Sequence, residues 1–288
     1  MAYGLYMTLN PSRGPKATVN YHTNVTFDDI YGMMDVKQQM AEIIDYLRDS
    51  SKYERIGARL RRGVLLFGPS GTGKTLMAKA VAGEAKANFI YRSASEFVEK
   101  YVGVGAERVR ELFSLAEQLK PAIIFIDEID ALGARVRARN SLNSTHISDV
   151  NNTINQLLTE LDGFKERSNI VVIAATNNHM AMDPSLIRAG RFDLKVKTRL
   201  PNDEERKGIF KKKLERTKYN VKEETLDELN DRTAGYTGAD IECVINEASY
   251  IALRKSMAII DDACLLEAFD YFNKTSFGLQ DNNHIPIN

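Results

Sequence analysis

A chain of 288 residues with 43% hydrophobic and 27% charged side chains is long enough to bury one large core and a second, smaller one. Its 39 basic and 39 acidic residues cancel, which leaves no global field for a nucleic-acid backbone and counts against nucleic acid as a partner. Neither cysteine, Cys243 or Cys264, sits in a C-x-x-C pair, and the most apolar run, Ile170 to Ala175, is too short to cross a bilayer. These features predict a cytoplasmic or equivalent reducing compartment and no membrane segment, with membrane association expected only for a piece of a longer anchored protein.

Residues 1–24, with Pro11, Gly14 and Pro15, read as a flexible arm. From 25 to 200 the pattern is that of a large α/β domain. Asp35 to Leu47 has helical spacing, with Val36, Met40, Ile43, Ile44 and Leu47 on one stripe. Gly63 to Phe67 reads as a buried strand, Thr75 to Lys86 as a helix, Phe89 to Tyr91 as a strand and Ala106 to Gln118 as a helix. Ala122 to Ile126 is expected as a strand, Asn140 to Asn155 as an Asn/Ser-rich mobile loop, Ile154 to Leu161 as a helix and Ile170 to Ala175 as a strand. Such alternation argues for parallel strands joined by helical crossovers. From 201 to 275 only helices are expected: Asp203 to Lys213, Thr225 to Asp231, Gly238 to Lys255 and Asp261 to Tyr271. Residues 276–288 form a tail.

Gly68-Pro69-Ser70-Gly71-Thr72-Gly73-Lys74-Thr75, followed by Leu76, fits G-x-x-x-x-G-K-[ST] between a strand and a helix. The glycines let backbone N–H groups turn inward around phosphates, and the helix start adds its positive end. Lys74 then reaches the β and γ phosphates of ATP and the Thr75 hydroxyl ligates Mg²⁺. Asp127 and Glu128 follow the apolar run Ile123 to Ile126, at the carboxyl end of a strand. There Asp127 is the candidate second holder of Mg²⁺ and Glu128 the candidate to polarise the attacking water. Asp130 reads as a helix cap.

The ordered motifs resemble the AAA+ ATPases and, within them, the ATPase module of FtsH-type membrane proteases. Carrying the resemblance are Phe97-Val-Glu-Lys-Tyr-Val-Gly-Val-Gly-Ala106 with Arg108 and Arg110, Phe27 to Gly32, Asn155 to Leu158, and Leu161-Asp-Gly-Phe164. Further along the chain, Ala174 to Asn177, Asp183-Pro184, Arg188-Ala-Gly-Arg-Phe-Asp193 and Gly238 to Asp240 add to it. The resemblance implies a P-loop domain with a five-stranded parallel sheet flanked by helices, and a small helical lid. It also implies roles for single residues. Asn177 senses the attacking water or γ-phosphate, and Arg188 and Arg191 reach the nucleotide of a neighbouring subunit. Tyr101, Val102 and Gly103 form a pore loop that grips polypeptide. Ile30, Gly32, Ile209, Gly238 and Ala239 contact the adenine or belong to the lid.

The sequence departs from the family in several places. His22, His146, His179 and His284 show no H-E-x-x-H spacing, so no protease site is expected here. Lys213 stands where the family often has a lid histidine, and Ser70 and Ala189 replace prolines. The implied function is a ring-forming, hexameric ATPase that threads polypeptide and feeds a peptidase domain or a peptidase in trans. The alternatives are a nucleotide-gated binding module and, less favoured by the neutral charge, a nucleic-acid remodeller.

Overall fold

The computed structural model describes residues 18–20, 23–58, 61–98, 103–134, 144–163 and 169–276. Tyr101 and Val102 lie outside them, as do residues 135–143. The chain divides into two compact units. The first takes the residues up to Asp28, Met34–Gly68 and Lys74–Thr198, and the second takes Asp29–Met33, Pro69–Gly73 and the residues from Arg199 on.

The first unit is built on a sheet of β1 (Thr18–Asn20), β2 (Gly63–Phe67), β3 (Asn88–Ser93), β4 (Ala122–Asp127), β5 (Ile170–Thr176) and β6 (Phe192–Lys197), in the order β1-β3-β4-β5-β2-β6. Strands β2 to β6 pair in parallel, which gives the expected five-stranded parallel sheet. Its centre is dry because β4 and β5 are runs of Ile, Val, Ala and Phe, buried on both faces as parallel strands require. The fifth parallel strand, β6, had no place in the sequence pattern. Its Phe-Asp-Leu-Lys-Val-Lys run is half charged and lies at the sheet edge, where one side of the backbone needs no cover.

Two expectations need correcting. The end of the presumed arm is an edge strand, with Thr18 opposite Tyr91 and Asn20 opposite Phe89 in antiparallel register. Three residues are too few to show a period. The Asn/Ser-rich stretch is also mostly helix, since the helix expected from Ile154 begins at Ser144. Val150, Ile154, Leu157 and Leu161 share one buried stripe, and polar neighbours masked its first turns.

Among the described residues, six α-helices accompany this sheet: α1 (Met34–Arg48), α2 (Ser51–Arg55), α3 (Lys74–Ala85), α4 (Val104–Gln118), α5 (Asp130–Ala134) and α6 (Ser144–Asp162). Helix α1 packs on α3, and α4 packs on α6. One continuous core joins Val109, Leu112 and Phe113 of α4 and Leu157 of α6 to Ile124 and Ile126 of β4 and Val172 of β5. Because β4, β5 and β2 are neighbours, the segments leaving their carboxyl ends emerge side by side. That placement is what brings Gly68, Asp127 and Asn177 within reach of one another.

In the second unit α7 (Asp203–Leu214), α8 (Glu223–Arg232), α9 (Gly238–Arg254) and α10 (Asp262–Ser276) close around Phe210, Leu214, Leu229, Tyr236, Val244 and Leu265. Asn202 with Glu205, and Thr237 with Asp240, make capping boxes at the starts of α7 and α9. Helix α7 also carries three acids in its first turn and three lysines in its last, in line with its dipole. This unit is not wholly helical, as the sequence had suggested. The two-residue strands β7 (Tyr219–Asn220) and β8 (Ile260–Asp261) pair in parallel, too short to leave a pattern.

Candidate active site

In the first unit, Lys74 opens α3 directly beyond the phosphate loop and is buried. Its ammonium donates to the Gly68 carbonyl at 2.9 Å and to Asn177 Oδ1 at 2.8 Å. Burial lowers its pKa below the ordinary 10.5, and the charges of Asp127 and Asp130 partly offset that effect. Next along the helix, the Thr75 hydroxyl donates to Asp127 Oδ2 at 3.1 Å. A hydroxyl and a carboxylate converging this closely form a hard-oxygen donor pair suited to Mg²⁺. Among the described residues, no cluster of three or more His, Cys, Asp or Glu side chains could hold a metal by itself.

Glu128 leaves β4 in the left-handed region, at φ 53, with its side chain exposed. A non-glycine residue held there is strained, and such strain persists only where surrounding contacts fix it. Here the Glu128 N–H donates to Asp127 Oδ1 at 3.0 Å, and the next N–H, of Ile129, donates to the Ala175 carbonyl of β5 at 3.0 Å. Asp127 is thereby engaged by Thr75 and by its own turn, while Glu128 stays exposed. Asp130, expected as a cap, accepts instead from the Thr176 hydroxyl at 2.6 Å. That bond ties the end of β5, one residue before Asn177, to the start of α5.

The two arginines have different surroundings. Arg188 is exposed, and its guanidinium has no partner among the described residues. Arg191 is clamped: Nε and Nη2 donate to the two carboxylate oxygens of Asp162 at 2.9 and 2.7 Å, and Nη1 donates to the Ser185 carbonyl at 2.7 Å. The hydrogen bonds to Asp162 raise its pKa further. Of the two, Arg188 is the one whose guanidinium is unengaged among the described residues, whereas the resemblance implied one role for both. Asp162 was visible within Leu161-Asp-Gly-Phe164, but nothing in one chain's spacing pairs it with a residue 29 positions away.

The phosphate-loop residues Pro69–Gly73 belong to the second unit. Gly71 has φ +74, and a Cβ on it would stand 2.5 Å from the Thr237 hydroxyl. The Ala239 N–H donates to the Gly71 carbonyl at 3.4 Å. Thr72 is buried and donates to the Pro69 carbonyl at 2.8 Å, while Pro69 and Ser70 are exposed. Ile30 is buried, whereas Gly32 and Ile209 are partly so. Lys213, at the position of the family's lid histidine, pairs with Glu242 at 2.6 Å. In the first unit Leu76 is partly buried, and Gly103, the described end of the presumed pore loop, caps α4 in a left-handed conformation at φ 86.

The model of the ATPase family associated with various cellular activities (AAA) matches residues 64–200, and that of the AAA+ lid domain matches 223–267. The chain is similar to the ATP-dependent zinc metalloprotease FtsH 2 of Sphaerobacter thermophilus, 52% identical over 246 residues, covering 85% of this chain and 37% of that protein. It is also similar to FtsH 3 of the same organism, 48% identical over 263 residues, covering 91% of this chain and 53% of that protein. FtsH of Karelsulcia muelleri is 45% identical over 246 residues, or 85% of this chain and 39% of that protein. The chain thus spans between about a third and about half of the length of these curated relatives. Among the described residues no helix is long and apolar enough to cross a membrane. With the phosphate loop, the acidic strand end and the helical lid in one chain, and both family models matched in order, this protein belongs to the AAA+ ATPases and resembles the ATPase module of FtsH.

Proposed function

We propose that the chain hydrolyses ATP to ADP and phosphate as one subunit of a homo-oligomeric, hexameric ring that pulls on polypeptide. The observation that carries this reading is the buried Lys74 ammonium held between the Gly68 carbonyl and Asn177, beside the Thr75–Asp127 pair. A lysine placed this way exchanges those acceptors for the oxygens of the β and γ phosphates. Thr75 and Asp127 would hold Mg²⁺, which would supply charge neutralisation at the phosphates. Glu128, exposed on its strained turn, accepts a proton from water as the water oxygen attacks the γ-phosphorus. The bond to the bridging oxygen breaks and ADP leaves. Asn177 orients that water. Arg188 extends to the neighbour's nucleotide and stabilises the charge of the transition state. Arg191, engaged by Asp162, instead shapes the segment that carries Arg188.

The pulling role rests on Tyr101 and Val102 together with the resemblance to FtsH, an ATP-dependent zinc metalloprotease. An aromatic side chain beside glycine can grip extended polypeptide with little sequence demand. Delivery to a peptidase domain, or to a separate peptidase, belongs to the same proposal.

The test is ATPase activity as a function of protein concentration. Specific activity should rise steeply with concentration, Glu128→Gln should bind ATP with almost no turnover, and Arg188→Ala should lose at least about a thousandfold. Activity independent of concentration and indifferent to Arg188→Ala would remove the ring. Tyr101→Ala should keep ATPase and lose unfolding of a tagged substrate. If unfolding survives that change, Tyr101 is not the gripping residue; if the parent hydrolyses ATP and unfolds nothing, the chain is a nucleotide-gated module rather than a motor.

A further inference from the structure

Residues 29–33 belong to no regular helix or strand beyond the single turn ending at Asp29, yet they are firmly placed on α7. Among the contacts that hold them, three lie within the second unit. The Met33 N–H donates to Glu205 Oε1 at 3.1 Å. The Tyr31 ring lies on Gly208, where a Cβ would come 2.1 Å from the ring. Arg216 donates to Asp29 Oδ1 at 2.6 Å.

Glu205 is the hub of this arrangement. Besides Met33 it accepts from Arg199 at 2.5 and 2.9 Å and from the Asn202 N–H at 3.0 Å, and its side chain is only 12% exposed. Burial works against its charge, but the bonds from Arg199, Asn202 and Met33 outweigh that and hold its pKa below 4.5. The loop needs such a hold. Gly32 and Met33 are consecutive left-handed residues, at φ 74 and 51, and Met33 has a Cβ that disfavours this region. A strained pair persists only where neighbours fix it, and Glu205 fixes it at the N–H of Met33. Ile209, one residue beyond Gly208, is carried on the same helix.

We propose that Glu205, with Tyr31 seated on Gly208, is the positioning residue that fixes Ile30–Gly32 against α7 as a recognition surface for the base of the bound nucleotide. The proposal rests on the reading of Ile30, Gly32 and Ile209 as base contacts. Glu205 acts through the loop and touches no reacting atom. Its loss should therefore weaken nucleotides that carry a base and spare inorganic tripolyphosphate, which has none.

The experiment measures Mg²⁺-dependent binding of ATP and of tripolyphosphate by displacement of a fluorescent ADP analogue. Glu205→Ala should weaken ATP about tenfold, the size of one lost charge-assisted hydrogen bond, and leave tripolyphosphate unchanged. Glu205→Gln keeps an acceptor for Met33 and should stay within about threefold of the parent. Tyr31→Ala, at a 44% exposed ring, should give a smaller loss of the same selectivity and serves if Glu205→Ala fails to fold. Equal weakening of both ligands, or no weakening of either, overturns the proposal. Ile209→Ala separates the two levels. If it weakens ATP selectively while Glu205→Ala does not, the positioning role is wrong and the base reading stands. If Ile209→Ala is also neutral, the base reading falls and the positioning role falls with it.

Discussion

Removing Arg191 should cost stability, whereas removing Arg188 should cost only activity. Arg191 makes a bidentate pair with Asp162 and a third bond to the Ser185 carbonyl, and its side chain is 19% exposed. Asp162 is 56% exposed, so the pair itself counts as a surface ion pair, worth roughly 0.2–1 kcal/mol. The bond from a charged donor to the Ser185 carbonyl adds roughly 1.5 kcal/mol. Arg191→Ala is therefore expected to destabilise the first unit by about 2 kcal/mol, which for a unit of this size lowers its Tm by roughly 4–8 °C. Arg188, exposed and without a partner among the described residues, should leave the Tm within about 1 °C when changed to alanine, because such surface changes are close to neutral. Differential scanning calorimetry of both variants, with Asp162→Ala and the Asp162→Ala/Arg191→Ala double variant, reads the pairwise coupling. An unchanged Tm for Arg191→Ala, or a drop with Arg188→Ala as large as that with Arg191→Ala, would refute the division of roles.

Two further outcomes follow from the same contacts. Burial depresses the Lys74 pKa, so above that pKa the folded state has released a proton that the unfolded chain still holds. Stability should then rise with pH through the folded pKa of Lys74 up to about 10.5, and Lys74→Met should remove that rise in urea titrations of nucleotide-free protein. A parent and variant with parallel pH profiles would contradict it. Thr237 caps α9 by accepting from the Asp240 N–H at 3.2 Å. Thr237→Ala should cost about 1 kcal/mol in denaturant unfolding, and no change would mean the cap is idle.

Much of the first unit was legible because its elements are long and its chemistry is local. The run Ile123 to Asp127 announces a buried strand with an acid at its end, and the phosphate loop is contiguous in sequence. Helix α9 announced itself through Gly238-Ala-Asp240, which proves to be the first turn of a capping box begun by Thr237. Short or mixed pieces were not legible. Strand β6 is half charged, β7 and β8 have two residues each, and the first turns of α6 have an Asn/Ser/Thr-rich sequence.

The sequence by itself determined the fold class, the family and the candidate groups for meeting a triphosphate, because each is written in residues that adjoin one another or repeat with a helix or strand period. Tertiary structure decided how those groups are used. Strand order sets Asn177 beside Lys74 across 103 positions, helix placement brings Asp162 against Arg191 across 29, and packing within the second unit brings Glu205 to the Met33 N–H across 172. Hydrogen bonds act over about 3 Å, so pairs this far apart in the chain become physical only once the sheet and the lid have folded.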